Sequence, residues 1–497
     1  MYLYLFGIHT YDLTWDGNTY HKLAVGMLRD GWNPVYQSAE SFINEDAANM
    51  QISDDDRNST WIEHYPKASW IFSATIYSVV NDIEGSKILN MLFIYIGFCI
   101  ILNYLSKKMN IIFAILISLI TILNPISIVQ MFNFYIDGLM GICLYIIICT
   151  LVSLSDRTNK EEEKINYLIL AMTLIICINL KFTGLVYSGF FCLLFFVFWC
   201  IRAYKENKFK EKFKQYISYY LIIGIISILV VGISPYIKNI KNKGNPFYPL
   251  MGEGKEDIIS YNQPKCFEEK GQIEKFFISL FGVSENIQSN SSDKEPTVKI
   301  PFTFTEDEIK IYNRPDLRIS GFGVEFSGIF CISILAAIVV LYRLYKNKNK
   351  ELFAMFLAYI GVSMLLALIT EGSWWARYIP YIYGLPIIVA SLLAMEKSRL
   401  LKTVCGIILL LLVFNNSLIM YTTVNNYYTK YSVINTEMKN MKKISNKKGS
   451  VKVALRTKAF CSILYNFKDK NINVELEDSN EKLKDKKYVN YFHYSKE

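Results

Sequence analysis

Apolar residues run through this chain in long uninterrupted stretches, without the alternating or every-third-position spacing of a soluble core. Residues 88–102, 111–123, 138–154, 182–200, 220–233, 328–341, 352–369 and 404–414 contain no Asp, Glu, Lys or Arg. With their flanks, several approach the ~20 residues that cover ~30 Å of hydrocarbon. The pattern predicts about eleven spans, near residues 1–10, 86–105, 110–125, 134–154, 165–180, 182–201, 216–236, 322–342, 352–370, 378–396 and 402–421. The first is incomplete: residues 1–8 are apolar but too short to span, with no basic start and no small-residue cleavage site. The fold class is an all-α polytopic membrane protein.

Between the runs the pattern changes. In the loop of residues 11–85, Tyr20, Leu23, Ala24, Met27 and Leu28 form one apolar stripe on a predicted helix at residues 17–29. A helix starting just outside the membrane is expected to lie flat on the interface. Residues 69–80 are a second, shorter candidate for an interfacial helix. The segment 237–320 is polar, irregular and proline-rich, opening on Asn245-Pro246-Phe247-Tyr248-Pro249. From about residue 430 the tail reads as a small α/β unit, with strands at 451–455 and 472–477 around a helix at 459–467. The expected organisation is a transmembrane domain over residues 1–425 and a small external domain over 430–497.

Composition sharpens this picture. The 497 residues are 52% hydrophobic and 15% aromatic, with mean hydropathy +0.23, more apolar than a soluble chain of this length. The net charge of +9 sits largely in short loops at 107–108, 157–164, 202–214, 343–350 and 397–402. These fall at alternate ends of the spans, as cytoplasmic loops do. The charge therefore reads as membrane topology and not as a nucleic-acid surface. It places the 11–85 loop, the 237–320 segment and the tail outside. Eight of the ten cysteines lie in apolar spans; Cys266 and Cys461 fall in external segments, where a disulfide between them is one option.

The candidate chemistry begins in the first loop. Asp16 precedes the predicted helix, where it is expected to cap the first turn and, held ionised there, to serve as a general base. Asp12 lies close by and is the candidate to share that acidic role. Asp16 and Tyr20, followed by Met27-Leu28 and then Gly31-Trp32-x-Pro34, resemble the first external loop of GT-C glycosyltransferases, the class of lipid A aminoarabinose transferases and protein O-mannosyltransferases. In that class an acid, or an Asp-Glu pair, stands a few residues before a Tyr at the head of an interfacial helix. Here Gly17 replaces the second acid. The resemblance implies a polyprenyl-phosphate-sugar donor and a glycan, lipid or protein acceptor.

The same resemblance gives Lys67, in Tyr65-Pro66-Lys67, the role of facing the lipid phosphate; otherwise it is a lysine snorkelling at a span boundary. Asp137, in Tyr135-Ile136-Asp137, sits at the mouth of a span, where an acid is costly and marks function; it is assigned to orienting substrate or metal. Lys181 interrupts two apolar runs on the external side. Arg377-Tyr378 follows Trp374-Trp375 and reads either as an interface belt or as a phosphate clamp. Three of the four histidines precede residue 65. Glu63 and His64 are the candidate ligands for a divalent ion, Mg²⁺, Mn²⁺ or Zn²⁺, though their spacing matches no dedicated motif. The predicted activity is inverting glycosyl transfer on the external face of a bacterial inner membrane. The rival readings are an O-antigen ligase or polymerase, and a lipid-linked glycan flippase.

Overall fold

The computed structural model describes residues 7–43, 56–156, 159–287 and 294–496. Most of the predicted first span, most of the acidic stretch at 40–57 and residues 157–158 of one basic loop lie outside the described residues.

Among the described residues, seven helices are long and apolar enough to cross a membrane: Glu84–Leu105, Asp137–Ser155, Phe182–Lys205, Phe209–Val231, Phe326–Lys346, Lys350–Ile369 and Arg399–Lys448. Other predicted spans fold differently. Ile111–Ile122 has only 12 residues. The side chain of Asn110 starts it, and Asn124-Pro125 ends the run by capping a new short helix, Pro125–Gln130. Pro380–Ala394 has 15 residues and opens on a proline at its first position. Lys160–Ile178 begins with Glu161, Glu162 and Glu163, which lengthen the helix with charge and not with apolar surface.

Asp137–Ser155 is the centre of the bundle. It is the most enclosed of the seven and packs against Leu89–Leu105 and Lys160–Ile178. Gly138 allows this: a Cβ there would stand 2.9 Å from the Ser127 backbone. The first turn of the helix, which carries Asp137, is thus pressed against Pro125–Gln130.

The first loop departs from the expected interfacial layout. A five-residue π-turn, Gly17–His21, leads into Lys22–Arg29. Leu23, Ala24 and Met27 have no exposed surface; the stripe packs on Ala68–Val80 inside the protein. The other side of the helix is covered by the tail, with Tyr465 lying where a Cβ on Gly26 would be.

The predicted boundary at 425–430 is crossed by one continuous helix. Arg399–Lys448 has 50 residues, about 75 Å at 1.5 Å per residue, and leads without a break into the tail, which packs in one apolar cluster with the first loop. The tail is a four-stranded sheet in the order β2-β1-β4-β3, with β1 Val451–Leu455, β2 Val474–Leu476, β3 Lys486–Val489 and β4 Phe492–Ser495. β1 and β2 run parallel around the helix Ile463–Asp469, as the sequence suggests. The β3–β4 hairpin is an addition; exposed Lys486, Lys487 and Tyr488 hide its strand pattern.

Candidate active site

Asp16 does not cap its helix. Its own backbone is already helical and its side chain makes no cap hydrogen bond. Thr14 takes that place, its Oγ1 accepting from the Gly17 N–H at 3.2 Å. The Asp16 carboxylate is therefore released toward Arg377, whose Nη1 stands 3.4 Å from Asp16 Oδ2. Three-quarters of the side chain is covered. Burial pushes its proton affinity above the ordinary carboxylate range; Arg377 opposes this, while Asp316 and Asp137 add to it.

Arg377 is the hub. It sits in a short turn, Ala376–Tyr378, held by Tyr187, whose hydroxyl donates to the Tyr378 carbonyl at 2.7 Å. The guanidinium lies 3.9 Å from the Trp375 ring centre and 5.6 Å from that of Tyr135. Its Nη1 is 3.7 Å from Asp137 Oδ2 as well as close to Asp16, while its buried Nε–H has no acceptor. Asp137 in turn accepts from Lys181 Nζ at 2.5 Å and from Gln130 Nε2 at 3.2 Å. The Lys181 ammonium rests 4.3 Å from the Tyr378 ring centre. Burial alone disfavours its charge, but the adjoining Asp137 carboxylate outweighs that and holds Lys181 above its usual range. Tyr20 borders the group through an aromatic wall of Trp61, Tyr65 and Trp70, with ring centres 6.1–6.5 Å away.

Asp16, Asp137, Lys181, Arg377 and Tyr378 thus meet, with Tyr20 beside them. Four other sequence candidates stand apart. Asp12 is fully engaged inside the loop: Oδ1 accepts from the Thr14 N–H and hydroxyl at 2.7 and 2.6 Å, and Oδ2 from the Phe134 N–H at 2.9 Å. It ties the loop to residues preceding Asp137. Lys67 donates to the carbonyls of Glu63 and Tyr65, both at 2.8 Å, and lies between Trp32 and Trp70. Burial brings its ammonium down to about 7. Glu63 is paired with Lys238 at 2.5 Å and accepts from the Ala39 N–H. His64 Nδ1 meets Asn239 Oδ1 at 2.7 Å. The Glu63–His64 pair joins the first loop to the 237–320 segment. Among the described residues no three His, Cys, Asp or Glu side chains converge as a ligand set.

Sequence reasoning missed several groups. Gln130 lies in an uncharged run, yet its Oε1 accepts from the Gly138 N–H while its Nε2 donates to Asp137 and to the Pro315 carbonyl. Tyr135 lies under the guanidinium. Asp316 and Arg318 come from the proline-rich loop; the only sequence hint was charge clustered in Arg314-Pro315-Asp316-Leu317-Arg318.

No family model and no curated protein matches the chain. Its fold is similar to two crystal structures of ArnT from Cupriavidus metallidurans, one in the apo state and one bound to undecaprenyl phosphate. The TM-scores are 0.45 and 0.44, with 11% and 10% identity, over 96% of this chain and 84% of each of theirs. At that identity and overlap the likeness assigns no activity to the cleft.

Proposed function

We propose that this chain is a multi-pass GT-C-type glycosyltransferase. It takes a sugar from a polyprenyl-phosphate, undecaprenyl in bacteria, to a glycan, lipid or protein acceptor on the external face of the inner membrane. One observation carries the reading: a buried guanidinium shared by two carboxylates, with its Nε–H unpartnered, at the head of an apolar bundle. A buried donor without an acceptor is costly, and a phosphate oxygen is the partner that guanidinium geometry favours.

In this mechanism the donor phosphate competes with Asp16 for Arg377. As the guanidinium turns to the phosphate, the Asp16 carboxylate is freed. It takes the proton of the acceptor hydroxyl or other nucleophile, whose electron pair attacks the anomeric carbon. The bond from that carbon to the phosphate oxygen breaks on the opposite side, inverting the centre. The polyprenyl phosphate leaves with the electron pair, its growing charge met by Arg377. Lys181 and Asp137 keep the guanidinium seated throughout.

The test uses proteoliposomes loaded with undecaprenyl phosphate carrying radiolabelled sugars, supplied with a cell-envelope extract. Transfer consumes the donor and releases undecaprenyl phosphate. Movement of intact donor between leaflets without consumption would instead identify a flippase.

A further inference from the structure

The tail reaches the residues on either side of Asp16. In the π-turn Gly17–His21, the Lys22 N–H reaches back five residues to the Gly17 carbonyl. An α-turn would give that N–H to the Asn18 carbonyl, four residues back. The Asn18 carbonyl accepts instead from the Ser462 hydroxyl of the tail at 2.6 Å, with both residues buried. Ser462 stands at the N-cap of the helix Ile463–Asp469, where a serine ordinarily accepts from its own first turn, yet its side chain makes no such bond. Its hydroxyl is committed to the first loop. Around it, the Phe460 ring meets Trp15 edge-on at 4.9 Å, the Tyr491 hydroxyl donates to the Leu13 carbonyl, and Asn466 Oδ1 accepts from Lys22 Nζ at 3.0 Å. The tail thus holds residues 13, 15, 18 and 22. Asp16 lies inside that grip, 3.4 Å from Arg377.

We propose that Ser462 is a positioning residue of the cleft: its hydrogen bond keeps the first loop in its π-turn, and that turn aims Asp16 at Arg377. The proposal rests on the glycosyl-transfer reading for its catalytic purpose, though not for its geometry. Single π-turns are rare and frequent at functional sites. A buried carbonyl displaced by such a turn needs another donor, and Ser462 supplies it. Without the hydroxyl, the Lys22 N–H is drawn back to the Asn18 carbonyl, the turn tightens by one residue, and Asp16 swings about the helix axis away from Arg377. The tail is also anchored elsewhere: Asp469 accepts from the Tyr77 hydroxyl at 2.6 Å and from the Ile83 N–H at 2.8 Å. Loss of the Ser462 hydroxyl therefore frees the turn without undocking the tail.

Two readings test this on the full-length protein. In detergent, hydrogen–deuterium exchange of the peptide covering residues 13–22 is followed by mass spectrometry. Ser462→Ala is expected to speed exchange there about three- to tenfold, the loss of one hydrogen bond. In proteoliposomes it should lower kcat about ten- to a hundredfold with both KM values within about twofold, because a misaimed base costs turnover and not binding. Ser462→Thr, which keeps the hydroxyl, should restore both readings. Ser462→Cys, of similar volume and with a weaker donor, should fall between, and it serves if the alanine variant does not fold. Ser445→Ala removes a different bond of the tail, Asn473 N–H to Ser445 Oγ at 3.0 Å, and should leave both readings at wild type. Unchanged exchange in Ser462→Ala overturns the proposal, and so does faster exchange with unchanged kcat in an active enzyme. An equal change in Ser445→Ala overturns it too, since that marks a general loss of tail stability. Wild-type protein that transfers no sugar, while Ser462→Ala still exchanges faster, refutes the transferase reading alone.

Discussion

Two buried ion clusters hang on the same stretch of chain, residues 12–22, and they are built to opposite specifications. The first joins Lys22, Glu84 and Lys87, whose side chains are at most 3% exposed. Lys22 Nζ donates to Asn18 Oδ1 at 2.6 Å, Asn466 Oδ1 at 3.0 Å and Glu84 Oε1 at 3.2 Å, using all three of its hydrogens. Lys87 Nζ reaches Glu84 Oε2 at 2.5 Å and the Thr10 carbonyl at 2.6 Å. Glu84 also accepts from the Asp12 N–H and from Asn466 Nδ2. The second cluster, Asp16 with Arg377, Asp137 and Lys181, has longer contacts around its guanidinium, a partly exposed base and an orphaned donor. A saturated network fixes one structure; an unsaturated one stores capacity for a ligand. The first welds the tail, the first loop and a span together, so that the second can be left unfinished.

The sharpest way to break this contrast is Asp16→Asn. The amide keeps the shape but takes no proton, so transfer should fall about 10²–10⁴-fold, the range for losing a general base. Because Thr14 caps the helix, thermal unfolding in detergent should be unchanged. Near-normal turnover by the folded variant would remove Asp16 from the chemistry. Glu84→Ala should do the reverse. It strands two buried ammoniums, which typically costs about 3–5 kcal/mol. Tryptophan-monitored unfolding should report that loss, while turnover per folded molecule stays close to wild type.

How legible were these two regions beforehand? The apolar runs and the basic loops gave the membrane class directly, because hydrocarbon thickness leaves few alternatives. Asp16, Asp137, Lys181 and Arg377 could each be singled out, since an ionisable group at a span mouth has few bland explanations. Their meeting could not be read, because the four come from separate elements and nothing local records which mouths face each other. The saturated cluster was invisible for the same reason: Asn466 lies 444 residues from Lys22. Asp12 stood out for its closeness to Asp16, whereas its carboxylate hydrogen bonds run to Thr14 and Phe134, which no local pattern records. The helix stripe was correct in residues and wrong in environment, since periodicity shows a buried face without naming what buries it.

Arg377→Ala comes next in size. Losing a charge-assisted contact to an anion costs about 1.5–3 kcal/mol, or about ten- to a hundredfold, and the loss should appear in the donor KM. Kinetics at varied donor and acceptor concentration separate the two. A change confined to the acceptor would take the phosphate away from Arg377 and leave the hub without its assigned partner.

The smallest effect, and the finest test, belongs to Lys67. Its hydrogen bonds to two carbonyls place it with the saturated region, whereas its position after Tyr65-Pro66 suggested a phosphate contact. Lys67→Met keeps the length and drops the charge. On the packing assignment, donor KM stays within about twofold, while a phosphate role predicts the same ten- to hundredfold loss as at Arg377. The pH dependence of stability gives a second reading. Burial lowers Lys67 from 10.5 to about 7, so between those values the unfolded chain holds a proton that the folded chain does not. Stability from this group therefore rises with pH across that window. The unfolding temperature of Lys67→Met, measured from pH 7 upward, should lack that rise. A wild-type curve equally flat would mean that Lys67 keeps its proton in the folded chain, with an anionic partner close at hand.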